Sequence, residues 1–101
     1  MESNVYSVSQ INRYIKMLID KDAYLNSITV RGEITNFKAH YTGHFYFTLK
    51  DETSTIKCVM FKSMASLVKF KPADGMKVVI TGQVSLFERD GTYQIYCKTM
   101  V

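Results

Sequence analysis

The residue pattern predicts a mainly β protein: a five-stranded Greek-key barrel with an α-helix in front of it and a short helix between its third and fourth strands. Three observations predict it. Apolar residues recur at every second position in five separate segments, the first and fourth of these are long and carry one interior glycine each, and one brief helical stretch follows the third. With 101 residues and 47% hydrophobic content, the chain has the size and apolar mass of one domain with one core.

The leading helix is marked by its start. Ser7 and Gln10 have capping-box spacing, and Tyr6 and Ile11 fall at the positions of a hydrophobic staple. Behind them Ile11, Tyr14, Ile15, Leu18 and Ile19 recur at helical spacing, with Asn12, Arg13, Lys16 and Asp20 opposite, over Val8 to Lys21. The apolar stripe suits a helix laid on the domain or on a partner; residues 1–26 are expected as an amphipathic helix and connector packed on the barrel, and residues 27–101 as the barrel, the two forming one unit.

From Ser27 the period becomes two. Ile28, Val30, Gly32 and Ile34 mark strand one; Phe45, Phe47 and Leu49 strand two; Ile56, Cys58 and Met60 strand three. Met76, Val78, Ile80, Gly82, Val84 and Leu86 form one side of strand four, and Tyr93, Ile95 and Cys97 mark strand five. Gly32 and Gly82 are placed to bend long strands at barrel corners. Ser63 to Phe70 reads as a capped helical turn or two, stopped before Pro72, the only proline. Five strands with a helix between the third and fourth is the OB-fold layout; an SH3-like barrel has five strands but normally lacks that helix.

Alternation then decides which side chains are free to work. If Phe45, Phe47 and Leu49 fill the barrel, His44, Tyr46, Thr48 and Lys50 point out; if Ile56, Cys58 and Met60 point in, Lys57, Val59 and Phe61 point out. Rings beside cations on adjacent strands suit single-stranded nucleic acid, whose bases stack and whose phosphates need positive charge. The loop from Asn36 to His44 adds Phe37, Lys38, His40 and Tyr41, and the loop before strand five adds Arg89 and Tyr93 around an Asp90-Gly91 turn. Thirteen Lys and Arg against nine Asp and Glu, a formal charge of +4, agree with a polyanionic partner. The plainer alternative is that Tyr46 and Phe61 are covered by the leading helix or by another domain.

Other chemistry is poorly supported. No glycine-rich phosphate loop or nucleophile motif is present, and the carboxylates Asp51, Glu52, Asp74, Glu88 and Asp90 sit at turns, so no catalytic residue is expected in this segment. His40, His44, Cys58 and Cys97 lack zinc-ligand spacing, and no metal site is expected. Two cysteines 39 positions apart with no framework around them point to a reducing, cytoplasmic setting. No apolar run or leader pattern calls for a membrane.

The text of several segments resembles one family. Tyr6-Ser7-Val8-Ser9-Gln10-Ile11-Asn12-Arg13-Tyr14-Ile15 is similar to the opening of the large subunit of bacterial exodeoxyribonuclease VII. Val30 to Phe37, Gly43 to Asp51, Cys58-Val59-Met60-Phe61-Lys62 and Gly91 to Ile95 match its N-terminal domain in order and interval. The resemblance covers nearly the whole chain. It implies an OB-type domain that engages single-stranded DNA for a catalytic domain absent from this segment, in an enzyme that degrades DNA from either end. It also implies a small-subunit partner that assembles on regions beyond this segment. The chain, stopping where strand five finishes, reads as an excised domain.

The family pattern places Arg31, Asn36, Phe37, His44, Tyr46 and Lys62 in matching motif positions, while the proline common before strand five is missing from Glu88-Arg89-Asp90-Gly91. The expected contacts are bases on Tyr46, Phe61 and Phe37 and phosphates on Arg31, Lys38, Lys57 and Lys62, with Asn36, His44 and Arg89 also at the interface. No cofactor is expected for this segment; for the complete enzyme the cofactor stays open, a divalent metal being one option. Two rival readings remain: a docking domain for another domain or subunit, and an RNA-binding barrel.

Overall fold

A computed structural model describes residues 4–101 of the chain; residues 1–3 of the expected leading segment lie outside the described residues. The elements run α1 (Val8–Lys21), β1 (Ile28–Ala39), β2 (Phe45–Lys50), β3 (Thr55–Met60), α2 (Lys62–Ala65), β4 (Lys77–Phe87) and β5 (Thr92–Met100). The strands close into a barrel in the order β1-β2-β3-β5-β4, with β3 and β5 parallel and every other pair antiparallel. This is the OB arrangement the alternation predicts.

The core follows the predicted parity. Ile34, Phe47, Leu49, Cys58, Met60, Val78, Ile80, Val84, Ile95 and Cys97 are buried in one cluster. β1 serves two neighbours, pairing through its first half with β4 and through its second with β2, and Glu33 pairs with both Lys77 and Lys50. The β4–β5 register shifts at Gly82, where the strands approach so closely that a β-carbon would overlap the Tyr96 carbonyl oxygen and lie 3.0 Å from Cys97 Cα. Glycine is therefore required there by backbone proximity.

Two expectations are corrected. The helix after β3 is one turn, Lys62–Ala65; Phe61 is its N-cap residue without a side-chain cap bond, and Ser63 lies inside it. The segment beyond, through Phe70, is irregular and packs Val68 and Phe70 on the core.

The second correction concerns α1. Its capping box forms as predicted, with Gln10 N–H donating to Ser7 Oγ at 3.1 Å and Ser7 N–H to Gln10 Oε1 at 2.7 Å. The helix, however, meets the barrel mainly with its polar side, with Ile19 of the apolar stripe packed on the core beside it. Asn12 Nδ2 donates to the Glu88 carbonyl at 3.0 Å, Ser85 Oγ donates to Asp20 Oδ1 at 2.6 Å, and Arg13 lies 3.4 Å from Glu88. Ile11, Tyr14, Ile15 and Leu18 stay 41–57% exposed. The cause is the surface beneath: the outward parity of β4 presents Gln83 and Ser85, whose hydrogen-bonding groups select polar partners. Among the described residues no helix is long and apolar enough to cross a membrane.

Candidate nucleic-acid interface

Opposite parity from the core puts Tyr46 on β2, Val59 on β3 and Tyr96 on β5 in one row on the outer side of the barrel, since Tyr46 pairs with Val59 and Val59 with Tyr96; Val59 itself is buried between its neighbours. Phe61 follows Val59 at the end of β3. The result is a continuous aromatic strip: Tyr46 edge-on to His44 at 6.3 Å, His44 edge-on to Phe61 at 5.3 Å, and Phe61 stacked on Tyr96 at 5.9 Å with 30° between the planes. His40 extends it on the loop side, 5.9 Å from Tyr46. Tyr46 is 38% exposed and Phe61 47%, so their rings are open to a ligand. Helix α1 lies on β4 and does not cover them.

Local geometry fixes these rings. The Lys62 backbone N–H donates to His44 Nδ1 at 2.8 Å, which in the neutral ring leaves the proton on Nε2 and sets the ring's angle between Tyr46 and Phe61. Gly43 has φ of +98° and lets the Lys62 stem lie against the loop; a β-carbon would sit 2.9 Å from Lys62 Cγ. Gln94 Nε2 donates to the Tyr96 hydroxyl at 2.9 Å. Lys38 pairs in register with Tyr46 and Lys57 with Thr48 and Gln94, and the exposed Lys98 lies two positions beyond Tyr96 at the β4–β5 register shift. Among the described residues Lys38, Lys57, Lys62 and Lys98 form no ion pair, whereas Lys50 lies 3.7 Å from Glu33.

Six of the ten expected residues thus come together at this face: Lys38, His44, Tyr46, Lys57, Phe61 and Lys62. Four do not. Asn36 takes φ of +53° at a bulge between Thr35 and Lys38. The bulge reverses the parity of Phe37, whose ring packs on Phe45 at 5.1 Å and near Phe47 at 6.1 Å, so it faces the barrel mouth and not the strip. Its backbone N–H donates to Asp74 Oδ1 at 2.8 Å. Arg31 pairs with Val79 far along β1 from Lys38, roughly 20 Å at ~3.3 Å per residue. It shares a depression with Glu33, Asp51 and Glu52 but also with Lys50 and Lys77, so its surroundings carry both signs of charge. Arg89 sits at the tip of the β4–β5 turn, at the opposite end of the face from the β1–β2 loop, where Asp90 and Gly91 N–H groups both donate to the Phe87 carbonyl.

Tyr96 is the residue that sequence reasoning missed. The signal was present, because Ile95 and Cys97 point inward and β5 borders β3 in this layout.

The other ionisable groups serve the frame. Backbone N–H groups of Thr53 and Ser54 hold the Asp51 carboxyl below the usual carboxylate range as a turn cap. The neighbouring Cys97 thiol and burial push the Cys58 thiol far up, so it stays protonated inside the barrel. No cluster of three or more His, Cys, Asp or Glu side chains able to hold a metal forms among the described residues.

Residues 6–101 match the family model described as OB-fold nucleic acid binding domain. The chain belongs to that family. It is 56% identical over 98 residues to the exodeoxyribonuclease 7 large subunit of Ruminiclostridium cellulolyticum, covering 97% of the chain and 24% of that relative. It is 52% identical over 94 residues to the protein of the same name from Clostridium kluyveri, covering 93% of the chain and 24% of the relative. The chain therefore spans about a quarter of the length of the curated relatives it matches. Among solved structures, a replication protein A heterotrimer bound to ssDNA shares the fold, with a TM-score of 0.61 and 17% identity over 77% of this chain and 57% of that one.

Proposed function

We propose that this OB-fold domain is the single-strand-grasping part of an exodeoxyribonuclease VII large subunit. Bases stack on Tyr46, Phe61 and Tyr96, and Lys38, Lys57, Lys62 and Lys98 contact the phosphates between them. Cleavage is the work of a catalytic domain outside this segment, in an assembly with the small subunit, within the cytoplasm. The observation that carries the reading is the exposed aromatic strip across β2, β3 and β5, flanked by lysines that form no ion pair among the described residues. Relatives named for an exodeoxyribonuclease support the cleavage half. The two buried free cysteines suit a reducing compartment. Binding by rings and lysines needs no cofactor, so chelation by EDTA leaves it unchanged.

The test is fluorescence anisotropy of the purified chain with a labelled single-stranded DNA over a salt series, with matched duplex and RNA as competitors. Four lysines on a single strand give a log–log slope of roughly −2 to −3, at ~0.7 per phosphate contact. Duplex that competes as well as the single strand would overturn the reading, and RNA that competes better would reassign the substrate.

A second reading has its own observation. The outward apolar stripe of α1, Ile11, Tyr14, Ile15 and Leu18, is a docking face for another part of the longer polypeptide, whose relatives are about four times the length of this chain. It is compatible with the first, because the stripe and the aromatic strip lie on different elements.

A further inference from the structure

On the other side of the β1–β2 ladder from Tyr46 and Lys38, their strand neighbours Phe45 and Ala39 line an open cleft of about 510 Å³ together with Phe37, Val68, Lys69, Phe70, Lys71 and Pro72. That is within the ~300–1,000 Å³ range of small-ligand clefts. Its floor is aromatic: Phe37 and Phe45 meet edge to face at 5.1 Å, and Phe70 adds a third half-buried ring. Its rim is basic. Lys69 and Lys71 are exposed and form no ion pair among the described residues. The carboxylate of Asp74, which accepts the Phe37 N–H, forms no ion pair with either lysine among the described residues. An apolar aromatic floor under two cations suits a planar base carrying a phosphate.

Resting on the proposed strand-binding reading, we propose that this cleft is a second nucleotide subsite, which takes a base of the same strand after it passes over the β1–β2 loop. The crest between the two sites is short. The His40–Gly43 turn closes with His40 N–H on the His44 carbonyl and Gly43 N–H on the His40 carbonyl, and the Lys62 stem lies against Gly43. A phosphate at the crest is held by Lys62, and the next base leaves the outer strip and enters the cleft, with its phosphates on Lys69 and Lys71. The site is then longer than the outer strip alone, and its extra length belongs to the segment between α2 and β4.

The experiment is anisotropy with labelled oligothymidylates from about 4 to about 12 nucleotides, within the ~4–16 nucleotide range of OB sites. It compares the unaltered chain, the Lys69→Ala/Lys71→Ala double variant, Phe70→Leu and Tyr46→Ala. The lysine pair and Phe70→Leu, which removes the ring but keeps an apolar side chain, are expected to weaken long oligonucleotides roughly 5- to 10-fold and leave the shortest unchanged. The lysine pair also lowers the salt slope by about 1.4 for long strands only, at ~0.7 per contact. Equal loss at every length would make the lysines a general field, and no loss at any length would leave the cleft unused; either result overturns the subsite. Tyr46→Ala weakens every length; its failure to do so would count against the outer strip itself, whatever the lysine pair does.

Discussion

Truncating Phe61 isolates the stacking term. Its ring is 47% exposed, rests on Tyr96 at 5.9 Å and receives the edge of His44 at 5.3 Å. Removing one base-stacking ring costs ~1–3 kcal/mol, a roughly 5- to 150-fold rise in Kd. The structural cost is smaller than for a core ring. A buried Phe→Ala change costs ~3–5 kcal/mol, and a half-exposed ring forfeits about half of that, near 2 kcal/mol. Phe61 is the N-cap residue of α2 but makes no side-chain cap bond, so Phe61→Ala breaks no cap. The assay pairs anisotropy against a single-stranded oligonucleotide with a thermal melt, using Phe61→Tyr as the variant that keeps a ring. Phe61→Ala is expected to bind at least fivefold more weakly while still melting cooperatively, and Phe61→Tyr to bind nearly as the unaltered chain does. A folded Phe61→Ala protein with affinity within twofold of the original would refute the stacking argument.

Gly82→Ala forces a β-carbon into the β5 backbone at Tyr96 and Cys97, where no flexible side chain can yield. A loss of about 2–3 kcal/mol is expected, read as a fall in Tm of roughly 10–20 °C. Ile15→Gln and Leu18→Gln face outward on α1 and should each change stability by no more than about 0.5 kcal/mol by denaturant titration; losses of several kcal/mol would put the apolar stripe back on the barrel. Hydrogen bonds from Lys16 and Ser85 lower the Asp20 pKa, so Asp20 stabilises the fold above the ordinary carboxylate pKa and loses that contribution as pH falls through its folded value. Its hydrogen bond to Asp20 raises the Lys16 pKa, so that contribution is present below the ordinary lysine pKa and lost as pH rises through the folded one. With both side chains more than a third exposed, Asp20→Asn should cost only about 0.5–1 kcal/mol at neutral pH, and progressively less as pH falls through the lowered folded pKa of Asp20; a cost that does not shrink in acid would contradict the assigned role.

The barrel was legible because one rule, period two, governs most of it. Phe47, Leu49, Cys58, Ile80 and Ile95 lie inside as their alternation requires, and their neighbours Tyr46, Lys57 and Tyr96 lie outside. The rule fails where backbone geometry changes locally. Asn36 adopts a left-handed conformation at the bulge, and one inserted residue turns Phe37 from the outer face to the mouth. The orientation of α1 was hidden for another reason. Amphipathicity shows which face is apolar but not what the underlying surface offers, and here Ser85 and the Glu88 carbonyl select the polar face. Arg31 and Arg89 looked like site residues because positive charge is easy to read, whereas distance along a strand becomes clear only once the register is known.

The central claim is that the outer surface of β2, β3 and β5 holds the strand. The most direct measurement is an NMR titration of the labelled chain with a single-stranded oligonucleotide, following backbone amides and aromatic side chains. The account predicts the largest shifts at His44, Tyr46, Val59, Phe61, Lys62 and Tyr96, with Ile11, Tyr14, Ile15 and Leu18 unmoved. Shifts concentrated on α1 with the aromatic strip silent would contradict it.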